Sequence, residues 1–62
     1  TMHTYAKLND GRLMIVYSDN TTEETMNLYP LELSQHFDPE VHTCQEFKYS
    51  EIAVTDTNLA AL

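Results

Sequence analysis

With 62 residues, 42% of them hydrophobic, this chain has room for one small domain and a thin core. Ten acidic residues against three basic ones leave a net charge of -7. That balance disfavours direct binding of nucleic acid, which is held by neutralising phosphates with Lys and Arg, and docking on anionic membranes. It favours a basic protein surface as partner.

Domains this small lean on disulfides, metal or self-association. The single cysteine, Cys44, cannot close an internal disulfide and fits a reducing compartment. A homo-oligomer is therefore one expectation. No secretory signal or membrane span is visible, so the expected location is the cytoplasm of a bacterium or of an infected host. Asn20-Thr21-Thr22 matches a glycosylation sequon, which carries no weight without secretion. Thr1 ahead of Met2 reads as a vector remnant and is left out of the fold reasoning.

Residues 3–8 read as a strand, with Thr4 and Tyr5 supplying β-preferring side chains. Asn9-Asp10-Gly11-Arg12 is the turn, since Asp-Gly between two apolar runs is a strong hairpin signal. Residues 13–17 are apolar without alternation, which predicts a central strand covered on both faces, by core or by a partner subunit. Residues 18–24 read as a polar connection with little β or helical pattern. Residues 25–29 resume as a strand, with Met26 and Leu28 on one face and Asn27 on the other.

Pro30 interrupts that strand, and residues 30–37 fit one or two helical turns, with Leu33 and Phe37 on one face. Asp38-Pro39-Glu40 ends the segment as a turn. Residues 41–54 alternate poorly. Phe47, Tyr49, Ile52 and Val54 are the expected buried positions, and the change of phase between Tyr49 and Ile52 calls for a bulge, a turn at 48–50 or a helical turn. The reading is two short strands, the second at 51–55, followed by a tail at 56–62 that frays or forms a turn capped by Asp56 or Thr57.

The sum is a mainly β domain of four to five short strands with one short helix, arranged as an antiparallel meander or a partly open barrel. The hairpin at 7–15 and the late strand Ser50-Glu51-Ile52-Ala53-Val54 resemble features of SH3-like and Sm-like small barrels. The resemblance concerns shape and implies no activity.

The distribution of charge is the most informative feature for function. No Lys or Arg lies between Leu13 and Phe47, an interval holding Asp19, Glu23, Glu24, Glu32, Asp38, Glu40 and Glu46. Two clusters stand out, Asp19 with Glu23 and Glu24, and Asp38 with Glu40. On a small globule they act within a few Debye lengths, about 8 Å each, of one another. One reading is a negative field that steers a basic surface into contact. The other is a solvated surface that opposes aggregation.

His36, Asp38, His42 and Cys44 are competent metal ligands, but their spacing matches no zinc signature. Cys44 and His42, two apart, share a strand face as a nucleophile and base would, yet no orienting third group or oxyanion donor accompanies them. Glu23 and Glu24 are adjacent and point apart in an extended chain, a poor acid–base pair. The one glycine, Gly11, belongs to the turn, so no phosphate loop or nucleotide cofactor is implied.

The aromatic residues Tyr5, Tyr17, Tyr29, Tyr49, Phe37 and Phe47 would suggest base stacking on a basic background; here core or interface packing fits better. Tyr29, beside Pro30, is the expected exposed anchor. The first expectation is thus a small acidic non-enzymatic binding module without catalytic residues, cofactor or metal. It would contact a basic partner through Asp19, Glu23, Glu24, Tyr29, Asp38 and Glu40, as an inhibitor or nucleic-acid mimic of the kind phages and mobile elements encode. The alternatives are a self-assembling β-module and a small metal-dependent protein.

Overall fold

A computed structural model describes residues 2–62; Thr1, read above as a vector remnant, lies outside the described residues. Five antiparallel strands form one sheet: β1 (Tyr5–Leu8), β2 (Leu13–Asn20), β3 (Thr25–Pro30), β4 (Gln45–Lys48) and β5 (Ile52–Asp56), in the order β4-β3-β2-β1-β5. The only helical elements among the described residues are 3-10 turns at Leu31–Leu33, Tyr49–Glu51 and Leu59–Ala61. The short helix expected at 30–37 is therefore a 3-10 turn that runs into further turns. Pro30 is the last residue of β3 and pairs with Met14, beyond the last rung to β4 at Leu28, where its missing donor leaves no gap in that ladder. No helix among the described residues is long and apolar enough to cross a membrane.

The hairpin signal at Asp10-Gly11 holds. Gly11 has φ 96, and its amide donates to Leu8 O at 2.9 Å. The polar stretch after it differs from expectation: Ser18, Asp19 and Asn20 continue β2 and pair with Asn27, Met26 and Thr25, leaving residues 21–24 as a tight second turn. Tertiary pairing overrides weak strand preference here. Glu24 takes φ 56, the left-handed conformation such a turn needs.

The two outer strands, β4 and β5, are joined by the three-residue turn Tyr49–Glu51. A flat five-stranded sheet would hold its edges about 19 Å apart at the usual strand spacing. A 3-10 link rising about 2 Å per residue spans less than half of that. The sheet must curl, and a twist of about 20–25° per strand over its four steps turns β5 near to a right angle from β4. Bulges at Tyr17 in β2 and at Ala53 in β5, where the pairing register shifts, sharpen the bend. The product is a partly open barrel.

Inside the curl lie Ala6, Leu8, Met14, Leu28 and Phe47, flanked by Val16, Met26 and Ile52. The opposite face carries a second apolar layer. Ile15 is 0% exposed, and it pairs with Tyr5 on β1 and Tyr29 on β3. The loop between β3 and β4 covers this layer: the Phe37 ring stacks on Tyr29 with centroids 4.1 Å apart and meets Tyr17 at 5.3 Å and His42 at 5.9 Å. Of the apolar run 13–17, Met14 is buried on the inner face and Ile15 on the outer, where the cover is the chain's own loop, whereas Tyr17 at the end of the run stays 52% exposed.

Phe37→Ala is expected to lower stability by about 2–3 kcal/mol, because it uncovers Tyr29 as well as losing the ring contacts with Tyr17 and His42. Gly11→Ala is expected to cost about 1 kcal/mol; no atom lies within 4 Å of the added methyl, so backbone strain alone is measured. Urea denaturation checks both, and an unmoved midpoint for Phe37→Ala would show that the loop adds nothing to the core.

Candidate functional site

The Tyr49–Glu51 turn is held from two sides. From the β1–β2 turn, the Asn9 amide donates to Glu51 O at 3.0 Å and Asn9 Nδ2 donates to Ser50 O at 2.7 Å. From the β2–β3 hairpin, Glu24 O accepts from the Tyr49 amide at 2.9 Å, and the Tyr49 hydroxyl donates to Asp19 Oδ1. Glu51 Oε1 accepts from the Lys48 amide at 2.9 Å, closing the turn on itself. The Asp19 hydrogen bond pushes the Tyr49 phenol up to about 12, because ionising it would set an oxyanion against a carboxylate.

Between the outer edge of β5 and the upper half of the β2–β3 hairpin runs a shallow groove of about 380 Å³, lined by Asp19, Met26, Tyr49 and residues 52–55. Ile52 belongs to the flank of the core, whereas Val54, expected to be buried, is 44% exposed. Val54 pairs with Lys7, which stands on the face away from the core, and the Ala53 bulge puts it there. β5 pairs with β1 only; on its other edge the Ile52 amide donates to Tyr49 O, and among the described residues the rest of that edge makes no backbone hydrogen bond. Of the residues expected to contact a partner, Asp19 alone lines this groove, and the apolar lining was not anticipated as part of a site. The signal passed over is the close spacing of Ile52 and Val54 around small Ala53.

The carboxylates expected to act together are distributed over three places. Asp19 pairs with core-flanking Met26 and so stands on the groove side. Glu23 and Glu24 occupy the exposed hairpin tip, where the Glu23 amide donates to Asn20 Oδ1 at 3.1 Å. Asp38 and Glu40 lie in the covering loop: Asp38 Oδ1 accepts from the Glu40 amide at 2.9 Å, and Asp38 O from Val41 and His42. Glu46, in the same charge interval, sits on β4 with its Oε2 accepting from Thr25 Oγ1 at 3.4 Å. Tyr29 requires correction. It is 6% exposed beneath Phe37, so its ring is packing and not an available anchor. Burial also raises its phenol pKa.

Among the described residues the one ion pair joins Arg12 Nε to Asp10 Oδ2 at 2.9 Å, both side chains being exposed. The amide of Arg12, with its guanidinium, holds the Asp10 carboxyl below its ordinary value. Lys7 Nζ donates to Leu62 O at 3.3 Å. None of the carboxylates between Leu13 and Phe47 is paired with a cation among the described residues.

No group of three His, Cys, Asp or Glu side chains among the described residues is placed to hold a metal. His42 Nδ1 accepts from the Asp38 amide at 3.1 Å while its ring packs on Phe37, so this histidine braces the loop. Burial pushes the half-buried Cys44 thiol up, the reverse of what a nucleophile requires. No protein family, curated protein or solved structure matches this chain.

The Tyr49 contact yields a pH prediction. Its pKa is raised in the fold, so the neutral phenol is favoured there. Stability from this group is fully present below the ordinary tyrosine value of about 10 and is lost as pH rises towards about 12. Asp19→Asn should bring the Tyr49 titration back towards the ordinary range, read by ultraviolet absorbance against Tyr49→Phe. An unchanged curve would break the assignment of Asp19 as the cause.

Proposed function

We propose that this chain is a small, non-enzymatic protein-binding module that uses its negative field to engage a basic, nucleic-acid-binding surface of a partner protein. In this role it acts as an inhibitor or regulator of the type carried by phages and mobile elements. The observation that carries the reading is the set of carboxylates from Asp19 to Glu46 without cationic partners among the described residues. Unpaired surface acids keep their field for an incoming surface, whereas paired ones spend it internally. The Thr21–Glu24 tip projects two of these acids from a hairpin stiffened by the Tyr49 contact, which gives Glu23 and Glu24 the first approach to a partner.

Self-assembly draws less support. Its cue was the apolar run 13–17, and Ile15 is already covered by the Phe37 loop. Two copies would each bring a charge of -7 to the contact.

Capture of a basic protein from the native host should be strong at low salt and should fall steeply as salt rises. With the captured partner purified, Glu23→Lys/Glu24→Lys should slow association by about tenfold or more while leaving dissociation nearly unchanged. Added duplex DNA should compete for the same partner. Capture that is indifferent to salt and to DNA would overturn the proposal.

A further inference from the structure

We propose that the groove beside β5 is the peptide-binding site of this module and that its occupant is an extended, basic segment of the partner, added as a strand along the free edge of β5. The inference rests on the functional reading just given and specifies where contact is made. Three independent features meet at this place. Beyond Ile52, whose amide donates to Tyr49 O, the outer edge of β5 makes no backbone hydrogen bond among the described residues, so the amides and carbonyls of the rest of that edge are available to a new strand. The floor supplies apolar contact through Met26 and Ile52, and exposed Val54, turned to the other face by the bulge, adds apolar surface at the edge.

The third feature is charge. Asp19 lines the groove without a cationic partner among the described residues, its Oδ1 held by the Tyr49 hydroxyl. Glu24, Glu51 and Asp56 stand on the elements that bound the groove. Of the cations, Arg12 is taken by Asp10, Lys7 donates to the Leu62 carbonyl, and Lys48 flanks Tyr49. Carboxylates therefore predominate, and a Lys or Arg side chain reaching Asp19 while its backbone pairs with β5 satisfies both the edge and the charge. A second copy of this chain fits poorly, because its own β5 edge would bring Asp56 and Glu51 to the same place.

The test uses the whole chain, isotopically labelled, and a short alternating lysine–valine peptide at low salt, followed by amide chemical-shift mapping. Shifts should concentrate on Asp19, Met26, Tyr49 and residues 53–55. Methylating alternate peptide amides should weaken binding by about tenfold, as should Asp19→Asn, which keeps an acceptor for Tyr49 but removes the charge. Asp38→Asn/Glu40→Gln removes more charge elsewhere and should cost less than about twofold. If methylation is harmless, or if the loop double variant costs as much as Asp19→Asn with shifts scattered over the acidic surface, the groove is overturned while the basic-partner reading stands. If the peptide fails to bind although the natural partner still binds in a salt-dependent way, the groove is likewise overturned. If neither binds, both readings fall.

Discussion

The link between Lys48 and Ile52 dictates the shape of this protein. It joins the two strands at opposite ends of the sheet order with a single 3-10 turn, and strand spacing alone forbids that in a flat sheet. Curling has two consequences. It wraps Ala6, Leu8, Met14, Leu28 and Phe47 into a common interior. It also leaves β5 with one paired edge and one open edge, facing back towards the hairpin that carries Asp19. The hydrogen bonds that pin the turn, from Asn9 on one side and from Glu24 and Asp19 on the other, tie this curvature to residues that are polar and exposed. A thin core is thereby supplemented by a clasp.

The outer apolar layer solves a second problem of a short chain. An eight-residue β2 that is apolar on both faces along its first half needs cover on the side away from the core. The segment between β3 and β4 supplies it with one ring, Phe37, stacked on Tyr29 and touching Tyr17 and His42. The Asp38 turn fixes where that ring sits, because its carbonyl, amide and carboxylate engage Val41, His42 and Glu40. An acidic residue expected to act on a partner thus also organises the cover of the core.

Much of the architecture was legible in the residue order, for identifiable reasons. Asp10-Gly11 announces its turn through backbone sterics, and the unbroken run 13–17 announces the two-sided burial found at Met14 and Ile15, though not at exposed Tyr17. The extension of β2 through Ser18-Asp19-Asn20 was not legible, because its pairing with Thr25–Asn27 is a tertiary effect that polar side chains do not advertise. Tyr29 was misread for a related reason: its cover, Phe37, lies eight positions away across a proline and two turns, and no local period connects them. The acids Asp19, Glu23, Glu24, Asp38 and Glu40 were legible as charge, but their partition among groove, tip and loop depends on the bulge at Tyr17 and on the path of the covering loop.

Charge and edge have to be considered together. An open β edge is a hazard, since it templates pairing with any extended chain, and natural proteins blunt such edges with charge. Here the net charge of -7 blunts the edge selectively. It repels copies of this chain and other acidic segments, while for a basic segment the same field lowers the barrier to approach. The carboxylates that would oppose a second copy and those that would attract a basic segment are therefore one set, acting through one potential whose sign decides between them.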